Sequence, residues 1–429
     1  MTFMNKTSPQ WFRLDNAAKI YPASMSLSWN AMFRMSATLK EDIDVALLEI
    51  ALKKAMKRFP SIACRLIPGL FWYRLQHQEG TPPIRHDVNN PMGKFKFKEN
   101  NHFLFIVRYY KNRIAVEFFH AATDGYGGLC FMLSLVREYL IQKHGINIST
   151  NDCVLSLDEA PKYAEMEDSF LKYARKETIG RTEKTAYHPS GKMLSTNTIR
   201  IISSTIPSDE LLSLAKKYKV KVGVLLSGLL LMAIANVQKT EKRKKESKQP
   251  VKVSVPVNLR QFYRSKTLRN FSSYINPGIE SRFGDYSLEE ILVQVKSTMD
   301  ACVTEKQMNA RFSENVAAEL NLFIRIVPLF LKNPLLKFVF FLHGDRYVST
   351  TISNLGNIDV PVEMSEYIER LDFIPGRPFD CRTVASCISY GGNTFINFTR
   401  TMKDPIVERY FFNSLVELGV HVLVESNNI

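Results

Sequence analysis

The side chains best suited to chemistry in this chain stand together in His120-Ala121-Ala122-Thr123-Asp124-Gly125. An alternating apolar run, Arg113–Phe119, leads into them, and a helix-like stretch from Leu129 to about Lys143 follows. A histidine at a strand end, with an acid four residues on and glycine after it, can present an imidazole to a cleft. With an ordinary pKa of about 6.5, such a ring takes and returns a proton near neutral pH. Short strings of this kind also arise by chance, so the surroundings decide their meaning. A metal site built on His120 and Asp124 lacks further ligands at suitable spacing. A serine triad lacks the Gly-x-Ser-x-Gly elbow.

An imidazole used this way needs a frame. The 429 residues suit two lobes at about 100–200 residues each. Residues 1–150 form the first, residues 151–195 a polar crossover, and residues 196–429 the second. In the first lobe a strand is expected at Ser28–Met35. A helix over Asp42–Arg58 carries an apolar stripe at Val45, Leu48, Leu52 and Met56 and stops at Pro60. A short strand at Phe71–Leu75 and a hairpin of Phe103–Tyr110 with Arg113–Phe119 lead to the motif.

The second lobe reads as a strand at Thr196–Ile206, then a helix over Glu210–Tyr218 capped by Ser208. A buried helix at Val222–Val237 and strands at Val251–Pro256 and Ser349–Ser353 come next. A hairpin of Thr383–Tyr390 with Thr394–Arg400 is followed by a helix from about Pro405 to Leu418. One layout occurs twice. Arg400 follows its strand as His120 follows Arg113–Phe119, and Asp404 keeps the four-residue spacing of Asp124. Two lobes of similar topology, only one bearing a base, would explain this, as would a chance likeness of two hairpin–helix units.

Composition narrows the class. With 45% hydrophobic and 23% charged residues, the chain has the balance of a globular protein. Six scattered cysteines without C-x-x-C spacing argue against a zinc site or disulfide framework and for a reducing compartment. The first nine residues carry no long apolar core, so no secretory signal is read and a cytoplasmic location is expected. Val222–Val237 is shorter than the roughly 20 residues of a membrane span. The stretch Phe323–Phe341 is broken by charges and prolines and reads as helix–break–helix, although a basic amphipathic segment of this kind also suits lipid contact. The net charge of +15 points to an anionic partner: acyl-CoA phosphates, a membrane surface or nucleic acid. Much of the excess lies in Lys239–Lys252, read as a solvated loop without the aromatic residues that single-strand binding favours.

Taken with its wider context, the chain resembles the chloramphenicol acetyltransferase-like superfamily. That group includes plant acyltransferases, peptide-synthetase condensation domains and alcohol acetyltransferases. The likeness rests on His120-x-x-x-Asp124-Gly125 and Val255-Pro-Val-Asn-Leu-Arg260. Further supports are Phe12-Arg-Leu-Asp-Asn-Ala-Ala, Arg58-Phe-Pro-Ser, Gly69-Leu-Phe-Trp-Tyr, Thr267-Leu-Arg-Asn-Phe and Ile352-Ser-Asn-Leu-Gly. In texture the chain is most similar to bacterial alcohol acetyltransferase-like proteins. The resemblance implies an α/β (α+β) fold of two lobes, each a mixed central sheet with flanking helices. It implies a channel at their interface with His120 near its middle. It implies that Asp124 points away from the site and pairs with Arg260, shaping the turn. Gly125 is expected to allow that turn. Ser353 and Asn354 are candidates for oxyanion donors or channel lining, or else form a plain turn after a strand.

The function implied is O-acyl transfer. Acyl-CoA serves as co-substrate and a small alcohol or amine as acceptor, with no permanently bound cofactor and no metal. His120 is the general base. Donation from a separate carrier protein, forming amides or complex lipids, is the alternative within the same fold. A basic, non-catalytic binding protein is the alternative outside it. No nucleic-acid partner and a monomeric state are expected, with peripheral membrane contact left open.

Overall fold

In the computed structural model the described residues are 11–26, 29–180, 183–241, 248–343 and 345–427. The first nine residues, the Ser28 end of the first expected strand and residues 242–247 of the basic run lie outside them.

Two large mixed sheets carry the molecule. The first has five strands in the order Ile368–Pro375, Met32–Leu39, Arg113–Phe119, Phe105–Tyr110 and Ile84–His86. Its last pair is parallel and the others are antiparallel. The second has eight strands, with Thr350–Asn357 lying parallel to both Val251–Asn258 and Thr383–Tyr390 near its centre. A small three-stranded sheet joins Trp11–Arg13, Tyr73–His77 and Cys64–Pro68.

Helices cover the sheets because their apolar stripes have nowhere else to go. Val45–Arg58 begins where the Asp44 carboxylate accepts from the Ala46 and Leu47 amides at 2.9 and 3.2 Å, satisfying donors left free at a helix start. It buries Leu48, Ala51, Leu52, Ala55 and Met56, one face at helical spacing. That face packs on the helix Gly125–His144. Val222–Thr240, long and apolar enough to span a membrane by composition alone, is the core helix of the second sheet. Leu225, Leu226, Leu229 and Leu230 are wholly buried in it.

Some elements differ from their sequence reading. The first strand runs Met32–Leu39 and the short one Tyr73–His77, later than expected, because pairing partners set strand ends more firmly than composition does. Ser208 is not a cap but the first residue of its helix, and its hydroxyl turns to Thr394 Oγ1 at 2.8 Å. Ile368–Pro375, within the span expected to form the second lobe, instead closes the edge of the first sheet against Met32–Leu39. Its backbone also accepts from the second sheet. Asn397 Nδ2 and the Ser386 hydroxyl donate to Phe373 O, and Thr399 Oγ1 donates to Pro375 O at 2.6 Å. One strand therefore fastens both sheets together.

Candidate active site

The motif sits where the first sheet meets a buried loop from the second half of the chain. Arg113–Phe119 ends at His120, and the Asp124 side chain starts the following helix by accepting from Gly127 N at 3.1 Å. That helix begins at Gly125, four residues before the sequence reading placed it. Three glycines in its first turn mask the start, since glycine disfavours helix.

The glycines are there for contact. A Cβ at Gly127 would lie 2.0 Å from Leu268 O and 2.2 Å from Thr123 Oγ1, and one at Gly128 2.9 Å from Phe33. Gly125, expected to make the tight turn, has no positive φ and only ordinary contacts, the nearest being Leu355 at 3.4 Å. Close approach is required at Gly127, not at Gly125.

Asp124 is fully engaged. Arg260 Nη1 and Nη2 donate to its two oxygens at 2.8 and 3.3 Å, and Phe271 N donates to Oδ2 at 2.9 Å. Arg260 in turn donates to Thr267 O and Arg269 O at 2.9 and 2.6 Å, and its guanidinium lies 4.7 Å over the Tyr126 ring. A forked ion pair fixes distance and orientation together. Here it clamps the Thr267–Phe271 loop, all of it buried, to the motif turn. Thr123 Oγ1 donates to Leu268 O at 2.6 Å, and the crossover segment adds Leu268 N to Glu165 O at 2.8 Å. Glu165 is itself held by buried Arg58.

The clamped loop delivers Asn270. Its Oδ1 lies 2.9 Å from His120 Nδ1, while its Nδ2 donates to His120 O at 3.1 Å and to Asp15 Oδ2 at 3.2 Å. Because Nδ2 must face those two oxygens, Oδ1 faces the ring, and Nδ1 is the nitrogen that carries hydrogen. The Nε2 lone pair is then the basic one. Tyr21 stacks on the imidazole at 4.8 Å, and Phe33 meets it edge-on at 5.1 Å. Burial lowers the His120 pKa below its ordinary value, opposed by the nearby Asp124 charge and the Asn270 hydrogen bond. The ring is therefore neutral at neutral pH. It is still only half-buried. Asp15 behind it is wholly enclosed, and burial raises its pKa against the pull of Arg269.

Asn354 Oδ1 accepts from Gly356 N at 2.7 Å, closing a local turn. Ser353 stands in register with Ser386. Leu355 of that strand lies beside the motif, its side chain 3.4 Å from where a Cβ on Gly125 would stand. A small cleft opens beside Trp29, Phe95, Ile199 and Arg377; Trp29 lies 6.4 Å from Tyr21, and no motif residue lines it. Sequence reasoning missed Asp15, Tyr21 and Asn270 as parts of the site. Asp15 and Asn270 lay inside strings that carried the family resemblance, Leu-Asp-Asn-Ala-Ala and Leu-Arg-Asn-Phe, which was the available signal.

No family model matches the sequence. An uncharacterized Mycobacterium tuberculosis (strain H37Rv) protein, Rv2305, is 26% identical over 255 residues, and the match spans 58% of this chain and 57% of that protein. Likeness in fold reaches much further along the chain. TRI101 of Fusarium sporotrichioides, solved with coenzyme A and T-2, superposes with a TM-score of 0.62 at 10% identity, covering 96% of this chain and 99% of that one. The starter condensation domain of rhizomide synthetase RzmA, solved with C8-CoA, gives 0.61 at 13% identity and 95% of each chain. Polyketide synthase associated protein 5 from Mycobacterium tuberculosis gives 0.58 at 12% identity, covering 94% and 96%. The fold is thus the two-lobed chloramphenicol acetyltransferase-like fold that condensation domains share.

Proposed function

We propose that the protein transfers an acyl group from an acyl thioester, with acyl-CoA as donor, to a small alcohol, and that His120 is the general base. One observation carries this reading. Asn270 holds the Nδ1–H of a neutral, half-buried imidazole, which leaves Nε2 to accept a proton. The fold supports the reaction class, because proteins similar to this chain were solved with coenzyme A or an acyl-CoA.

The acceptor hydroxyl gives its proton to His120 Nε2 as its oxygen attacks the thioester carbonyl carbon. The carbonyl electron pair moves to oxygen, and the resulting oxyanion needs fixed hydrogen-bond donors. When it collapses the C–S bond breaks, and the proton on Nε2 passes to the departing thiolate. Ester and free thiol are the products. Ser353 and Asn354 are the proposed lining near the oxyanion, supported by the place of their neighbour Leu355, whose side chain lies 3.4 Å from where a Cβ on Gly125 would stand.

Released thiol, measured with a panel of acyl-CoAs against pooled alcohols and amines, tests the proposal. His120→Ala should lower the rate by about 10²–10⁴-fold, the usual contribution of a general base. Unchanged turnover in that variant would remove His120 from the mechanism. The likeness to condensation domains supports a second donor, an acylated carrier protein. Turnover with an acyl carrier and none with any acyl-CoA would select it.

A further inference from the structure

We propose that the face formed by residues 320–340 is a docking surface for an anionic lipid bilayer. Two helices, Leu322–Ile326 and Leu329–His343, make this face. Many of their apolar side chains are exposed. Phe323 is 79% exposed and Phe330 72%, and Leu322, Ile326, Leu335 and Phe338 are more than half exposed. Leu329 N donates to Leu70 O at 2.8 Å, which sets exposed Leu70 beside them. A contiguous apolar face of this kind is unusual on a protein whose surface meets only water.

Charge selects the occupant. Residues 320–343 contain Arg325, Lys332 and Lys337 and no Asp or Glu. Arg325 and Lys337 are exposed. The flanking acid Glu319 is already paired with Lys19 at 2.6 Å. Protruding aromatic and aliphatic side chains among acid-free cations match the headgroup region, where rings enter the acyl boundary and cations meet lipid phosphates. The net charge of +15 draws the whole molecule to such a surface.

The face is held rigidly. Lys332 points inward, donating to Phe71 O at 3.0 Å with its ammonium 3.7 Å over the Trp72 ring. Phe340 packs 4.9 Å from Trp29. Leu329–His343 also packs on the Ile20–Ser24 helix, whose Tyr21 stacks on His120. Docking would therefore bring the imidazole close to the bilayer. The binding itself does not depend on the acyl-transfer reading.

Co-sedimentation of the full chain with phosphatidylcholine vesicles, with and without about 30% phosphatidylglycerol, tests the proposal. Binding to the anionic vesicles, weakened by salt, is expected. Phe323→Ser with Phe330→Ser should weaken partitioning at least tenfold, and Arg325→Glu with Lys337→Glu should abolish the preference for anionic lipid. Both pairs are exposed, so an unchanged melting temperature is expected and verifies folding. Absence of vesicle binding by the parent chain would overturn the proposal, as would equal binding by the double-serine variant. A concentration-dependent dimer in light scattering that the serine variant abolishes, without vesicle binding, would assign the face to self-association instead.

Discussion

Around His120 the amide of Asn270 has one orientation that satisfies its neighbours, with nitrogen toward Asp15 Oδ2 and His120 O and oxygen toward Nδ1. Under the proposed mechanism Asn270 is a positioning residue that acts through the ring. Asn270→Ala frees the imidazole to hold its hydrogen on either nitrogen, so kcat should fall about 10–100-fold with KM little changed, less than the loss on removing the base. The pH profile separates this from simple unfolding. In the proposed mechanism the reactive ring is the neutral one, so the rate should rise with pH through a His120 pKa that burial holds below its ordinary value, and be flat above. Asn270 opposes that depression. Without it the acid limb should move to lower pH. A variant with unchanged kcat and an unchanged limb would show that Asn270 does not set the tautomer.

At the scale of elements, the junction of Arg113–Phe119 with Gly125–His144 depends on how closely the helix start approaches the Thr267–Phe271 loop. Gly127→Ala pushes a methyl against the Leu268 carbonyl, and backbone on both sides leaves little room to yield. The expected cost is about 3 kcal/mol, from overpacking. Gly125→Ala, with only van der Waals neighbours, should change stability by less than about 1 kcal/mol. Urea unfolding of the two variants checks the contrast, and equal costs would refute it. The repeated layout seen in the sequence is also physical. Thr383–Tyr390 and Asn393–Arg400 form a hairpin followed by the helix Ile406–Glu417. There the likeness to the motif stops. Arg400 is buried, whereas Asp404 is exposed and pairs with exposed Arg409 at 3.5 Å. No clamp like that on Asp124 forms at Asp404 among the described residues.

The whole molecule is closed by segments far apart in sequence, and one of them carries a pH signature. Asp168, in the crossover, caps the Ser169–Tyr173 helix through Leu171 N at 3.3 Å. Burial, helped by the nearby Asp15 charge and opposed by Arg269, raises its pKa to about 6. A carboxyl with a higher pKa folded than unfolded binds more protons when folded. Its effect on stability is therefore most favourable below the unfolded value, and is lost as pH rises through about 6. Asp168→Asn keeps a capping oxygen and removes the charge. It should raise stability by about 1 kcal/mol at pH 8, a figure reduced for partial exposure, with little gain at pH 5. Thermal unfolding at the two pH values checks this, and an equal shift at both would refute it. The same long-range closure explains why the sequence analysis did not assign Ile368–Pro375 to the edge of the first sheet. Alternation reports that one face is buried, not which neighbour buries it.

By itself the sequence determined the local elements, through the stripe of Leu48, Leu52 and Met56 and the alternation of Arg113–Phe119, and it marked the imidazole and its acid by spacing. Those signals are local, because periodicity records which face of each element avoids water. The tertiary structure alone decided that Asn270, 150 residues away, meets His120, and that Asp15 stands 255 residues from Asn270 behind it. Loops such as Thr267–Phe271 have no period to read. Their place follows from satisfying every buried polar group at once, which only the assembled chain can do.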